Sequence, residues 1–239
     1  MHVAASKSLA TIAFTSAESP TARPRKCGIL IVEAQPITRY GLARLIDAEP
    51  DMVQAGQASN RASALELFEK CDPDVVIIEL LLGPDDGLEL ATQLVRRRAN
   101  LPLLIFSMMD EALFAERALR AGARGYLMKS AGSDVILAAI RGVFNGDICV
   151  SKAVSDAALR RLAGLGAGEA NSPLAELSAR ELQIFLLLGR GHDTHQIAEQ
   201  LFISVHTVQA HREHIKGKLN FECSRDLARY ASQFVTSMS

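Results

Sequence analysis

Five short runs of apolar, β-branched residues alternate with helical patterns along the first part of the chain. The predicted strands are Ile29–Val32, Met52–Ala58, Val75–Leu80, Leu101–Phe106 and Gly125–Met128. Apolar residues between them recur at helical spacing, and a last helix is predicted from Ser133 to Phe144, capped by Ser133 or Asp134. Because parallel strands need a crossover that is usually a helix, the alternation predicts an α/β fold with a doubly wound, five-stranded parallel sheet. In such sheets, functional residues collect at the carboxyl ends of the strands.

Length, charge and cysteine spacing limit the class of protein. The chain has 239 residues, which is enough for two small domains, and its formal net charge of -1 gives no sign of a polyanionic partner. Its 4 cysteines show no paired spacing, which predicts a reduced cytoplasmic protein with no structural metal and no other cofactor. No apolar run is long enough to cross a bilayer, so we expect no membrane partner.

Shifts in composition divide the chain into four segments. Residues 1–26 are rich in Ala, Ser, Thr and Pro and are predicted to be a disordered extension, and residues 27–147 form the α/β domain. Residues 148–173 begin with a predicted helix, Lys152–Leu162, and continue as a Gly- and Ala-rich linker that would let two domains change their relative placement. Residues 174–239 have no strand signal and form a small all-α domain.

The C-terminal segment carries helix-start signals at regular intervals. Ser178 and Glu181 have the spacing of a capping box, and Asp193 and Gln196 repeat it. Residues 202–204 are predicted to form a tight turn before the next helix. Two short helices joined by such a turn are typical of the helix-turn-helix arrangement, in which the second helix enters the major groove of DNA.

The second helix of this pair has a polar face and an apolar face. Ser204 is predicted to cap it, it should run to about Leu219, and Ser224 is predicted to cap a fourth helix through Tyr230. In the helix capped by Ser204, the helical period places Val208, Ile215 and Leu219 toward the core and leaves the intervening polar residues outside.

Residues 28–146 resemble the receiver domain of NarL/FixJ-type response regulators. The resemblance lies in three segments, GILIVEAQPITRYGL, DPDVVIIEL and AGARGYLMKS. It implies a phosphoacceptor aspartate after the third strand, an acidic pair after the first strand that helps to hold Mg²⁺, and a lysine after the fifth strand. The implied hydroxyl switch, aromatic switch and charge-pairing lysine are Ser107, Tyr126 and Lys129.

The sequence departs from this pattern at the chemically active positions. The phosphoacceptor position carries Glu79, and the acidic pair is Glu33 and Ala34. The nucleophile is therefore one methylene longer and one metal ligand is missing, so Mg²⁺ binding should be weakened or lost. In the loop LLLGPDDG, proline stands one place later than usual, which indicates a differently shaped loop.

Three interpretations of Glu79 remain open. The favoured one is a receiver that is not phosphorylated and is locked in one state or controlled by dimerisation or a partner. In the second, Glu79 imitates a phosphoryl group and pairs with Lys129. In the third, Glu79 or a neighbouring acid such as Asp86 is phosphorylated. No constellation of Ser/His/Asp or Cys/His type has a recognisable spacing, so we do not expect an enzyme.

The segment LSARELQIFLLLGRGHDTHQIAEQLFISVHTVQAHREHIKGKL resembles the LuxR-type helix-turn-helix module. The resemblance implies groove contacts at Gln209, which could pair with adenine, Ala210, which could touch a thymine methyl, and Glu213, which could accept from cytosine. The predicted phosphate contacts are Arg212, Lys216 and Lys218, with Ser204 and Thr207 near the helix start.

The expected partner is double-stranded promoter DNA. From Asn171 onward basic and acidic residues are equal in number, so a monomer should bind weakly and a homodimer on paired half-sites is expected. An activator would also contact RNA polymerase, and the receiver could dock onto a sensor kinase or another regulator. A scaffold that uses only this docking surface is the alternative function.

Most of the histidines lie in this segment, and two interpretations of them remain open. His192, His195, His206, His211 and His214 are either ordinary surface or packing residues, or groups whose protonation below about pH 6.5 raises DNA affinity.

Overall fold

A computed structural model describes residues 26–83, 85–163 and 173–237. Its strands are Cys27–Val32 (β1), Met52–Ala58 (β2), Val75–Ile78 (β3), Leu81–Leu82 (β4), Asp85–Asp86 (β5), Leu103–Ser107 (β6) and Gly125–Met128 (β7). The main sheet has the order β2-β1-β3-β6-β7, and every neighbouring pair in it is parallel. The predicted α/β fold with a five-stranded parallel sheet is confirmed.

Helices cover both faces of the sheet and build the C-terminal region as far as the structure describes it. Those of the first part are Pro36–Asp47 (α1), Arg61–Cys71 (α2), Gly87–Arg97 (α3), Glu111–Arg120 (α4), Ser133–Asn145 (α5) and Lys152–Leu162 (α6). A short 3-10 helix, Pro173–Glu176, precedes Ala179–Gly189 (α7), Thr194–Leu201 (α8), Val205–Lys218 (α9) and Ser224–Ser237 (α10). Among the described residues, no helix is both long and apolar enough to span a bilayer.

The alternation of side chains along β1 explains the layered core. Leu30 and Val32 are buried on the face that α2, α3 and α4 cover, whereas Ile29 and Ile31 are buried on the face of α1 and α5. A strand that is buried on both faces consists of consecutive apolar residues, and such a run at Ile29–Val32 was the basis for predicting this strand.

Several element boundaries differ from the prediction, beginning with the first strand, which starts at Cys27 rather than Ile29. The third strand ends at Ile78, and the residues after it form the antiparallel hairpin β4–β5, because the backbone turns back at Gly83, whose φ is 68°. The strand predicted from Leu101 begins at Leu103. The N-cap of α5 is Gly132 and makes no side-chain cap bond, so the predicted caps at Ser133 and Asp134 were wrong.

The last helix also differs from its predicted bounds. α10 contains Ser224 as its first residue and continues to Ser237, well beyond the predicted end at Tyr230. Tertiary packing extends it, because Phe234 and Tyr230 both stack against Phe185 of α7 with ring centroids 5.8 Å apart. Residues 1–25 and 164–172, which hold most of the predicted extension and the flexible part of the linker, lie outside the described residues.

Candidate regulatory pocket and DNA-binding surface

The predicted pocket residues meet at the carboxyl edge of the main sheet. Glu33 follows β1, Glu79 follows β3, Ser107 ends β6 and Lys129 follows β7. Because β1 and β3 are neighbours at the centre of the sheet, where the strand order reverses, the two glutamates face each other across this edge. The fold therefore brings together side chains that are far apart in the sequence.

An ion triad occupies the centre of the pocket. The Lys129 Nζ lies 2.7 Å from Glu33 Oε2 and also pairs with Glu79 Oε2. The Lys129 side chain is 7% exposed, and the two carboxylates are buried to a similar degree. A single ammonium thus neutralises part of the charge of two buried glutamates.

Hydrogen bonds hold the remaining carboxylate oxygens. Glu79 Oε1 accepts from Ser107 Oγ at 2.6 Å and from the backbone N–H of Leu81 at 3.2 Å. Glu33 Oε1 accepts from the backbone N–H of Gln35 at 2.8 Å. Ala34 supplies no side-chain oxygen, so the only carboxylates in the described part of this pocket are already bonded inside the protein.

Burial and mutual charge shift the pKa values in the triad. Burial raises the pKa of Glu33, against the opposing effects of its bonds to Lys129 and Gln35. Burial by itself lowers the pKa of Lys129, but the carboxylates of Glu79 and Glu33 outweigh it and raise that pKa overall. Lys129 is therefore held as a cation at neutral pH.

The aromatic switch position is linked to the same triad. The ring of Tyr126 is fully buried, and its hydroxyl donates to the carbonyl of Met109 at 2.8 Å. The backbone N–H of Met109 donates to Ser107 Oγ at 3.3 Å. A continuous set of bonds thus runs from Glu79 through Ser107 to the loop that Tyr126 holds.

Sequence reasoning missed a set of contacts between the receiver and the C-terminal helices. Asp86 Oδ1 caps α3 through Leu88, and its Oδ2 accepts from the backbone N–H of Ala179 at 2.8 Å. Arg117 of α4 donates to the carbonyl of Leu177 at 2.6 Å and to that of Leu174. No sequence signal identifies these contacts, because each joins residues from separate segments.

Arg180 makes a further contact of this kind. This buried side chain donates to the carbonyl of Gly83 in the hairpin loop at 3.0 Å.

A cavity of about 500 Å³ remains between the ion triad and the start of α9. It is lined by Glu33, Glu79 and Lys129 on one side and by Ser204, Thr207 and His211 on the other.

The predicted recognition helix is α9. Ser204 caps it by accepting from the backbone N–H of Thr207 at 3.0 Å, as expected. Val208 and Ile215 are fully buried, and Leu219 is nearly so, as the helical period predicted. The three predicted groove contacts, Gln209, Ala210 and Glu213, are exposed.

The predicted phosphate contacts all have partners inside the protein. Arg212 donates to Thr194 Oγ1 at 2.6 Å, which ties α9 to α8. Lys216 pairs with Glu213 at 2.8 Å, and Lys218 pairs with Glu181 at 2.7 Å. Their roles toward DNA stay predictions, and each cation would have to exchange an internal partner for a phosphate.

Comparison with known proteins places both regions in established families. Residues 29–141 match the response regulator receiver domain, and residues 175–231 match the bacterial regulatory proteins of the luxR family. The oxygen regulatory protein NreC of Staphylococcus carnosus is 31% identical over 207 residues, which cover 85% of this chain and 95% of that protein. This chain is a response regulator with a LuxR-type DNA-binding domain.

Solved structures support the same assignment. A LuxR-family two-component response regulator from Aurantimonas sp. matches 57% of this chain and 99% of its own, with a TM-score of 0.54 and 29% identity. The RcsB response regulator of Salmonella enterica, bound to promoter rprA, matches 87% of this chain with a TM-score of 0.54. At 19% identity, the RcsB likeness shows the fold alone. The family is one of transcription regulators rather than enzymes.

Proposed function

We propose that this response regulator binds promoter DNA as a cytoplasmic homodimer without phosphorylation of its receiver. One observation carries the proposal: the ammonium of Lys129 lies between Glu33 and Glu79 and pairs with both. The receiver then acts through its fixed shape, its dimer contacts or a protein partner. A sensor kinase is not required for activity, and RNA polymerase is a partner if the protein activates transcription.

The state of Glu79 argues against its use as a nucleophile. Attack on phosphorus needs a carboxylate oxygen with a free lone pair that the donor can reach. Glu79 is 6% exposed, its Oε2 pairs with Lys129, and its Oε1 accepts from Ser107 and Leu81. Phosphorylation at Oε2 would have to displace Lys129, and phosphorylation at Oε1 would have to break the bonds from Ser107 and Leu81.

The pocket residues also do not fit the Mg²⁺ ion that receivers of this family use. Mg²⁺ requires near-octahedral oxygen coordination, and one of the two acidic positions is Ala34. The cation between the two remaining carboxylates is Lys129 itself, and a divalent ion placed there would be repelled by it. We therefore propose that Mg²⁺ binding in this pocket is lost or very weak.

Asp86, the other candidate acceptor, has a structural role instead. Its two oxygens accept from the first turns of α3 and α7, and burial raises its pKa above the ordinary value. Phosphorylation there would remove the contact with α7, so we do not propose it as the acceptor.

A permanent phosphoryl mimic is the second candidate state, and a specific observation favours it over an inert pocket. The two groups that the family resemblance assigns to phosphate sensing, Ser107 and Lys129, both bond to Glu79. In this state the glutamate would hold the receiver in one conformation continuously. Replacing Glu79 with Gln should then alter dimerisation or DNA affinity, whereas an inert pocket predicts no change in either.

DNA recognition is proposed to depend on the exposed face of α9. Gln209, Ala210 and Glu213 are accessible there and have side chains suited to base edges in the major groove. A homodimer is proposed because the C-terminal region has no net excess of basic charge, so a single copy would make few phosphate contacts.

Intact mass and DNA binding test phosphorylation independence together. The full chain is incubated with acetyl phosphate and Mg²⁺, its mass is recorded, and its binding to DNA upstream of its own gene is titrated with and without the donor. We expect no added phosphate and unchanged affinity.

The matched control for this experiment is the double variant Ala34→Asp with Glu79→Asp. It restores the acidic pair and the shorter nucleophile, so it should gain the mass of one phosphate. Addition of phosphate to the wild-type chain, with altered affinity, would refute the proposal.

A further inference from the structure

The DNA-binding domain contains three metal-ligating side chains that the proposed function does not use. Glu181 lies in the first turn of α7, and His211 and His214 lie one turn apart on α9. A carboxylate oxygen and two imidazole nitrogens from these residues all lie within 4.8 Å of one another. We propose that Glu181, His211 and His214 form a binding site for a divalent transition-metal ion such as Zn²⁺.

The chemistry of the ligand set selects the class of ion. Two imidazoles and one carboxylate form an open zinc site, with the fourth position left to water. Imidazole nitrogens suit Zn²⁺, Co²⁺, Ni²⁺ and Cu²⁺, whereas Mg²⁺ and Ca²⁺ prefer oxygen ligands throughout. The site should therefore discriminate against the ion that the receiver family uses.

The backbone geometry lets the three ligands converge. Residues three apart on a helix share a face, so α9 points both imidazoles toward α7. The two rings lie at 88° with their centroids 6.5 Å apart. Ligand atoms around a tetrahedral zinc lie about 3.3 Å apart. The three ligand atoms must therefore move closer together by rotation of their side chains when a metal binds. The side chain of His214 is exposed and has room for this rotation.

Glu181 is already fixed in the orientation that a ligand needs. The backbone N–H of Ser178 and the Nζ of Lys218 both donate to its Oε2, at 2.8 and 2.7 Å. Because both bonds go to Oε2, we expect Oε1 to be the oxygen that binds the metal. The capping bond from Ser178 is the contact that stays when a metal binds, and by orienting the carboxylate it reduces the ordering cost of binding.

Charge in the cluster favours a metal at neutral pH but supplies one competitor. Burial, together with the nearby cations Arg180 and Lys218, lowers the pKa of His211 despite the opposing Glu181, so its imidazole is neutral and able to bind. Lys218 competes for the same carboxylate. Its side chain is 40% exposed and can turn into solvent when a metal binds.

Titration of the full chain with Co²⁺ tests the site, because tetrahedral Co²⁺ absorbs visible light. All proteins carry His2→Gln, since an imidazole next to the amino terminus can bind the same ions. We expect one Co²⁺ per chain, displaced by Zn²⁺. His214→Asn, at an exposed position, should bind at least tenfold more weakly, as should Glu181→Gln, which can keep the capping box.

Two further variants separate this site from nonspecific binding. His195→Asn alters an exposed histidine of α8 outside the cluster and should bind like the parent chain. Lys218→Met removes the competing cation and should bind several-fold more tightly. Absence of tetrahedral absorption in the parent chain, or equal affinity in the His214→Asn variant, would overturn the proposal.

Discussion

The receiver pocket and the recognition helix both contain paired charges, but at different depths. In the pocket, Lys129 is 7% exposed and pairs with two carboxylates that are equally inaccessible. On α9, each pair has one exposed member: Lys218 is 40% exposed and its partner Glu181 6%, whereas Lys216 is 16% exposed and its partner Glu213 63%. Exposed ion pairs contribute little to stability and exchange readily, whereas a buried charge that loses its partner costs several kcal/mol.

The difference in depth separates the two regions by role. The charges in the pocket are buried and paired with one another, which is why we propose that this receiver stays in one state. The pairs on α9 reach the surface, so we expect their lysines to exchange these partners for phosphate, as a DNA-binding surface requires. Four substitutions test this contrast, in order of decreasing expected effect.

Lys129→Met should cause the largest loss of stability. It leaves Glu33 and Glu79 buried without their cation, and breaking a buried pair from one side costs about 3–5 kcal/mol. Urea unfolding followed by circular dichroism measures the change. Lys70→Met, which breaks the exposed pair with Glu66, is the control and should leave the unfolding curve unchanged. Equal curves for the two variants would remove the distinction between pocket and surface.

Gln209→Ala should weaken specific DNA binding without affecting the fold. Loss of a bidentate base contact costs about 1–3 kcal/mol, or roughly 5- to 150-fold in affinity. Fluorescence anisotropy with promoter DNA measures it, and Gln233→Ala on α10 serves as the exposed control. Unchanged affinity in the Gln209→Ala variant would favour the scaffold alternative, in which α9 does not read DNA.

Arg212→Ala distinguishes a phosphate contact from an internal one. If Arg212 leaves Thr194 to bind a phosphate, its loss should make the slope of log affinity against log salt shallower by about 0.9. The slope is obtained from titrations at several salt concentrations. A lower free energy of unfolding with an unchanged slope would instead mean that Arg212 only ties α9 to α8.

Glu33→Gln should change the pH dependence of stability by the smallest amount. A carboxyl group whose pKa is raised on folding stabilises the protein below its ordinary value of 4.5, and this contribution is lost as pH rises through the folded pKa. Glutamine does not titrate, so the variant should gain stability relative to wild type between about pH 4.5 and pH 7.5. Urea unfolding at both pH values checks this, and a constant difference would contradict the raised pKa.

Much of the fold was readable from local patterns. The runs at Met52–Ala58 and Gly125–Met128 form strands with the predicted bounds, and both capping boxes formed as expected. These features depend on alternation, period and cap chemistry, all of which act over a few residues. α10 was predicted too short because stacking of its aromatic residues on Phe185 comes from another segment.

The candidate sites likewise combine features that could be predicted from local sequence with contacts that depend on packing between distant segments. The α/β receiver, the capped helix-turn-helix and the substitutions in the pocket, Glu79 and Ala34 beside Lys129, could be predicted in advance, because they depend on residue identity and local spacing. That Lys129 pairs with both glutamates, and that Glu181 lies beside the two histidines of α9, could be learned only from the three-dimensional arrangement. Such contacts depend on where strands and helices end in space, and this placement is set by the packing of the whole core.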